Sequence, residues 1–169
     1  IIPWGIDTEL FLYREKKLQR PVRFLHIGNL HPVKDQETLL KAFSIISEKI
    51  ESTLTIIGEG VLMSRILTII QELHLQDRVT MLNPLPYEQL PQHYHEADIL
   101  LHTSLSEGQC EVVTEAMSAG VLVCGTKVGL MSDLPDSCIS VPLRDHKLLA
   151  QLVLQVIHNA EKSSAIKER

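Results

Sequence analysis

Six short apolar runs punctuate this chain: Val22–Ile27 (VRFLHI), Leu54–Ile57 (LTII), Val79–Leu82 (VTML), Ile99–His102 (ILLH), Leu122–Gly125 (LVCG) and Ile139–Val141 (ISV). Each has the length of a strand and is too short for a buried helix. Between them, apolar residues return at helical spacing. Leu39, Phe43, Ile46 and Ile50, with Leu40 beside them, predict a helix from a cap at Asp35 to about Ile50. Leu62, Ile66, Ile69, Ile70 and Leu73 predict a second. After the break at Asn83-Pro84-Leu85-Pro86 a short helix is expected near Tyr87–Tyr94, and a last one over about 145–159 through Leu148, Leu149, Leu152, Val153 and Val156. The polar tail 160–169 is expected to fray. Strands alternating with helices imply right-handed crossovers, hence an α/β domain: a doubly wound parallel sheet of about six strands with helices on both faces.

Length and charge narrow the function classes. A chain of 169 residues fits one domain with a full core. A net charge of −5 without a basic run argues against nucleic acid as a partner. No apolar stretch approaches the ~20 residues of a bilayer span, and no signal peptide is visible. The chain opens on Ile1-Ile2-Pro3-Trp4 rather than Met, as expected of a segment of a longer protein. Pro3 and Gly5 argue against regular structure before Asp7 and Phe11. Cys110, Cys124 and Cys138 are scattered without CxxC spacing, which predicts reduced thiols in a cytosolic protein.

In open α/β sheets the ligand crevice lies beyond the carboxyl ends of the strands, and three loops there carry chemistry. In the first, Gly28–Asp35, Gly28 lets a ligand approach the backbone. Lys34 stands just before a helix N-terminus, where the dipole disfavours a cation by up to ~1 kcal/mol. An amine and helix N–H groups converging there would bind an anion such as phosphate; the competing reading is a solvated lysine beside Asp35 and Glu37. The second, Gly58-Glu59-Gly60, lacks the third glycine of a dinucleotide fingerprint, since Met63 stands there, so a tight turn is expected. The third is Ser104–Gly120 (SLSEGQCEVVTEAMSAG), with seven residues between Glu107 and Glu115. A Gly108-Gln109-Cys110 turn delays its helix, so Glu115 falls about one turn inside. A carboxylate there can accept hydrogen bonds from vicinal hydroxyls, as carboxylates do with ribose. Glu107 can serve a second set of hydroxyls, or be a surface glutamate.

Other polar residues carry less. His93 and His95 are two apart and do not share a helix face, so surface imidazoles are expected. His26 and His102 end apolar strands and read as satisfied core histidines. The chain shows no Asp-x-Asp pair, P-loop or G-x-S-x-G elbow, and its cysteines lack ligand spacing, so no metal is expected.

Taken together these residues resemble the C-terminal, donor-binding domain of retaining glycosyltransferases built from two Rossmann-like domains (the GT-B architecture). Ile1–Phe11 resembles the linker into that domain, and Gly28-Asn29-Leu30-His31-Pro32-Val33-Lys34 its phosphate loop. Ile56–Gly60 resembles its strand ending in Gly-Asp-Gly, and Asp77-Arg78-Val79 with Leu82 the strand whose exit holds the base. Ser106-Glu107-Gly108, running to Glu115-Ala116-Met117 and Gly120, resembles its paired-glutamate motif.

The resemblance implies a nucleoside-diphosphate sugar as donor. Lys34 would neutralise the leaving diphosphate and, with Glu107 on the donor sugar, form the catalytic pair. Glu115 would hold the ribose, and backbone N–H groups at Gln109, Cys110 and Glu111, after Gly108, would face phosphates or sugar. Leu82 and Asn83 would hold the base, with Gly28, Asn29 and Gly58 lining the loops. Such leaving-group stabilisation by fixed charge and dipole needs neither cofactor nor metal. The acceptor domain would be absent from this chain, which alone would bind donor weakly and turn over little. The whole protein would glycosylate a sugar, lipid-linked or polysaccharide acceptor in the cytoplasm or peripherally at the cytoplasmic membrane face, although no basic amphipathic helix supports membrane association here.

Three departures stand out: Asn29 replaces a common arginine, which removes a strong phosphate fork, Gln109-Cys110 replaces Phe-Gly, and Asp133 replaces a common glutamate. The first two motivate the alternative of a non-catalytic nucleotide-binding or interaction module, while Asp133 can serve as an equivalent carboxylate. An NAD-dependent enzyme is disfavoured by Met63.

Overall fold

The computed structural model describes residues 5–167, so the Ile1–Trp4 part of the expected leading segment lies outside the described residues. The six predicted strands are β1 (Val22–Ile27), β2 (Ser52–Ile57), β3 (Val79–Leu82), β4 (Ile99–His102), β5 (Leu122–Thr126) and β6 (Ile139–Val141). All pair in parallel, in the order β3-β2-β1-β4-β5-β6. The order reverses between β1 and β4, the switch point beyond which crevices open in such sheets. The helices are α1 (Gln36–Ser47), α2 (Met63–Glu72), α3 (Leu90–Glu96), α4 (Glu111–Ser118), α5 (Leu130–Asp133) and α6 (His146–Lys167).

The period of two along the strands divides the core. Phe24, Leu54, Ile56, Ile99 and Leu101 face a cluster with α1, α2 and α6, including Phe43, Ile46, Ile66 and Leu149. Leu25, Ile57, Leu100 and Val123 point the other way, onto Tyr94 of α3 and Val113 and Ala116 of α4. Helices thus cover both faces, and the central strands read as continuous apolar runs because neither face meets water. Each fully buried Leu, Ile or Phe contributes roughly 1.5–3 kcal/mol.

Before the sheet begins, Asp7 Oδ1 accepts hydrogen bonds from the Glu9 and Leu10 amides at 3.0 Å each, closing a turn. That turn delivers Phe11, which is fully buried against the rings of Tyr87 and Tyr94 at centroid distances of 5.3 and 5.6 Å. The turn thereby places Gly5 and Ile6 near the start of α4.

Several boundaries differ from expectation: β5 runs one residue further, to Thr126, and α1 ends at Ser47 rather than near Ile50. β2 begins at Ser52, because Ser52 and Thr53 continue the parallel register with Val22 and Arg23. The segment after β3 starts as a 3-10 turn, Tyr87–Gln89, before α3. The expected fraying tail is instead helical to Lys167. Residues 160–167 contain neither Gly nor Pro, and Arg20 clasps Glu161 through two hydrogen bonds of 2.9 and 3.2 Å.

Candidate functional site

The loops at the carboxyl ends of β1 and β4 meet at one corner. The 3-10 turn Pro32–Lys34 ends at Asp35, whose φ of 46° turns the chain into α1. The Asp35 side chain accepts from the Thr38 amide at 3.4 Å and from its hydroxyl at 2.7 Å, an N-cap of the kind expected. Just past β4, the Thr103 hydroxyl donates to the Lys34 and Asp35 carbonyls, and the Leu105 amide donates to Val33 O at 2.7 Å. Lys34 is thereby fixed opposite the loop that carries Glu107, and its Nζ donates to Glu107 Oε1 at 2.5 Å. That loop rests on Gly129, whose φ is 49°; a side chain there would meet the Gly108 carbonyl oxygen and Glu107 Cβ.

Beneath this pair lies His102, 1% exposed, with Nε2 3.5 Å from Glu107 Oε1 and 3.3 Å from Cys110 Sγ. Cys110 has φ 60° and precedes α4, keeping a glycine-like backbone turn while carrying a thiol. Burial pushes the Glu107 carboxyl up, but the hydrogen bond and charge of Lys34 override it and hold Glu107 below the usual carboxylate range. Burial holds the His102 and His26 imidazoles down at about 4 and pushes the Cys110 thiol up to about 11. A cleft of about 490 Å³ opens over Lys34, Glu107, Gly108, Gln109, Cys110, Glu111 and Val112. Glu111 and Val112, the first residues of α4, line this cleft, and a helix N-terminus favours an anion.

The second corner is built by α3 and α4. Glu115 lies one turn inside α4, is 4% exposed, and accepts a 2.5 Å hydrogen bond from the Tyr94 hydroxyl. Burial raises its pKa, and the phenol hydrogen bond only partly offsets this. Tyr94 is itself pushed well above the usual phenol value, first by burial and then by the Glu115 charge. Glu115 lines a smaller cavity of about 160 Å³ with Gly5, Ile6, Tyr87, Gln109, Glu111 and Thr114. Because Gln109 and Glu111 line both spaces, the two glutamates serve adjoining chambers around one helix start.

Of the residues singled out from the sequence, Lys34, Glu107, Gly108, Gln109, Cys110, Glu111 and Glu115 converge here. Gly28 lies beneath the Lys34 stem, since an added Cβ would stand 3.7 Å from Lys34 Cε. Asn29 is exposed, and its carbonyl accepts from the Gln36 amide at 3.0 Å. Gly58 is a tight-approach glycine: at φ 155°, any side chain would collide with the Gly28 carbonyl oxygen. The Leu82 carbonyl accepts the Gly58 amide at 3.0 Å and Asn83 is exposed; among the described residues, both cavities are lined without them, and Tyr87 supplies the wall on that side. His26 is the satisfied core histidine expected, with Nδ1 3.0 Å from Leu101 O. His95 is half-buried against Leu12 O at 2.9 Å rather than a free surface imidazole.

Sequence reasoning missed Tyr94, Tyr87 and the polar role of His102. Their signals were weak: tyrosines on a short helical segment, and a histidine ending an apolar run. Linear spacing predicted no metal ligands, yet the fold brings His102, Glu107 and Cys110 ligand atoms within 4.8 Å of one another.

Comparison with known proteins places this architecture. The family model for glycosyl transferases group 1 matches residues 11–169. N-acetyl-alpha-D-glucosaminyl L-malate synthase of Bacillus anthracis is 31% identical over 105 residues, covering 62% of this chain and 27% of the relative. The amylovoran biosynthesis glycosyltransferase AmsK of Erwinia amylovora is 29% identical over 163 residues, covering 90% of this chain and 40% of the relative. The chain thus spans well under half the length of these curated relatives. Among solved structures, the C-terminal domain of the group 1 family protein LpcC from Francisella tularensis superposes with a TM-score of 0.82 at 18% identity, covering 93% of this chain and 90% of that one. Anabaena Alr3699/HepE, solved in complex with UDP and glucose, gives 0.79 at 22% identity, covering 94% and 47%. With a family match over nearly its whole length and a sheet of the same fold, the chain belongs to the glycosyl transferases group 1 family.

Proposed function

We propose that this chain is the donor-binding half of a retaining glycosyltransferase and holds a nucleoside-diphosphate sugar across its two chambers. The observation that carries the reading is the adjacency of the Lys34–Glu107 cleft and the Glu115 cavity around the start of α4. Lys34 and the amides of Gln109, Cys110 and Glu111 receive the diphosphate, stabilising the leaving group by fixed charge and dipole. On binding, Lys34 transfers from Glu107 to phosphate, and Glu107 is released to the hydroxyls of the sugar. Glu115, already oriented by Tyr94, accepts from the ribose hydroxyls.

Neither cofactor nor catalytic metal is needed for this reading, and the retained configuration is part of it. The acceptor, a sugar, a lipid-linked glycan or a polysaccharide, is recognised by a second domain, and the whole protein works in the cytoplasm or at the membrane's cytoplasmic face. Among the described residues no helix is long and apolar enough to cross a membrane.

The test is calorimetric titration of the chain with UDP, GDP and ADP, and with the matching nucleosides. Lys34→Ala weakens diphosphates and leaves nucleosides alone, Glu115→Ala weakens both, and Lys162→Ala on the exposed flank of α6 weakens neither. Absence of heat with every nucleotide overturns the donor site and leaves the non-catalytic interaction module.

A further inference from the structure

We propose that His102 Nε2, Cys110 Sγ and the Glu107 carboxylate form a binding site for a thiophilic divalent cation of the Zn²⁺ class. The inference stands on geometry independent of the nucleotide reading. The imidazole nitrogen lies 3.3 Å from the thiol sulfur and 3.5 Å from the carboxylate oxygen, and all three ligand atoms fall within 4.8 Å of one another. Zinc bonds of about 2.0–2.3 Å at tetrahedral angles separate neighbouring ligands by about 3.4–3.6 Å. Two of the three separations among these ligand atoms are thus in place before any cation arrives.

The surroundings complete the case. His102 is buried on the rigid end of β4, where pairing of His102 with Gly125 of β5 fixes the strand. Cys110 is held by the left-handed turn before α4, a conformation that residues other than glycine rarely adopt. Glu107 is seated against Gly129. Glu107 and Cys110 both line the cleft, so a cation they hold has room beside it for water or a ligand oxygen. Nitrogen, sulfur and oxygen in a three-ligand, one-open arrangement suit Zn²⁺ or Co²⁺, whereas Mg²⁺ and Ca²⁺ want oxygen alone.

Two groups oppose a cation. Lys34 holds Glu107 Oε1, the same oxygen that stands 3.5 Å from His102 Nε2, so the metal takes its place only as the flexible ammonium swings out into the cleft. The thiol proton is expelled, as it is whenever a thiol ligates zinc, so binding releases a proton.

The test is titration of the chain with Co²⁺ alone, followed by displacement with Zn²⁺. The expected result is one Co²⁺ per chain, a thiolate-to-cobalt charge-transfer band, and intense visible bands of a tetrahedral centre, all bleached by Zn²⁺. Cys110→Ala removes the charge-transfer band and weakens binding by at least about tenfold, with Cys124 and Cys138 untouched. His102→Ala weakens binding likewise and alters the visible bands, and circular dichroism checks its folding because the residue is buried. Cys110→Ala, at a loop position, keeps the test decisive if His102→Ala does not fold. No charge-transfer band in the native chain, or a band that survives Cys110→Ala, overturns the site.

Discussion

Glu107 and Glu115 flank the start of the same helix, yet their surroundings push them in opposite directions. Glu107 meets an ammonium from the β1–α1 loop, which holds its carboxyl below the usual range despite burial. Glu115 accepts instead from the Tyr94 phenol of α3, a neutral donor, and burial raises it. One corner is a compensated charge pair open to a cleft, and the other is a nearly enclosed carboxylate oriented by a neutral donor. The difference teaches that a motif fixes residue types, while the elements packed beside it fix what those residues do.

The largest expected effect tests the charged corner. Lys34→Ala removes the cation offered to a diphosphate, so UDP affinity falls by about 30- to 100-fold, the equivalent of roughly 2–3 kcal/mol for a charged hydrogen bond. Stability changes by no more than about 1 kcal/mol, because both partners touch the cleft and water replaces the ammonium. Calorimetry and urea unfolding read the two quantities. If the variant unfolds readily but binds normally, Lys34 is a structural ion pair and the contrast collapses.

Tyr94→Phe tests the enclosed corner. The hydroxyl is the donor to a carboxylate that is only 4% exposed, and its loss leaves that carboxylate short of a partner. Stability falls by about 1–3 kcal/mol, with the aromatic packing on Phe11 kept. The Lys34 and Tyr94 variants thus damage different properties: one binding, the other the fold. Equal stability losses in both would erase the distinction.

These variants also mark what was legible in the sequence. Strand positions were legible because a parallel sheet covered on both faces writes itself as short apolar runs, and β1, β3, β4 and β6 begin and end where those runs do. Asp35 and the one-turn offset of Glu115 were legible because caps and helical phase are local. Tyr94 was not: its hydroxyl meets Glu115 across 21 residues of chain, and nothing in LPQHYHE marks that tyrosine as a carboxylate's partner. The lysine–glutamate pair spans 73 residues; the sequence offered both residues as site candidates but not their mutual bond. His102, Glu107 and Cys110 escaped spacing rules because their approach depends on a strand end folding under a loop. The helix past Asn159 was misread because helix-forming residues without an apolar stripe look like a frayed tail until Arg20 supplies a contact.

A smaller effect distinguishes the glutamates by acid titration. Glu107 is more acidic folded than unfolded, so its contribution to stability is present above the ordinary value of 4.5 and is lost as pH falls through its folded pKa. Glu115 is less acidic folded, so its contribution is greatest when protonated and is lost as pH rises from 4.5 through its folded pKa. Relative to the parent chain, Glu107→Gln should therefore lose ground as pH rises toward 4.5, whereas Glu115→Gln should gain ground above it. Urea midpoints over roughly pH 3 to 7 read both slopes. Slopes of the same sign would mean that the two carboxyls share one environment.

The smallest expected effect concerns the residue between the corners. Cys110 sits at φ 60°, and replacing it by glycine relieves roughly 1–2 kcal/mol of left-handed strain. Against that, glycine gives the unfolded chain more freedom, worth about 0.5–1 kcal/mol, and the sulfur contact with His102 at 3.3 Å disappears. The terms nearly cancel, so Cys110→Gly should shift stability by less than about 1 kcal/mol, while Cys110→Val, branched at Cβ in the same turn, should be clearly destabilising. A glycine variant that is neutral in stability and unable to bind Co²⁺ separates the thiol's chemistry from the turn's architecture. A glycine variant that loses several kcal/mol would instead make the sulfur part of the packing that seats Glu107, and the charged corner would then rest on His102 and Cys110 as much as on Lys34.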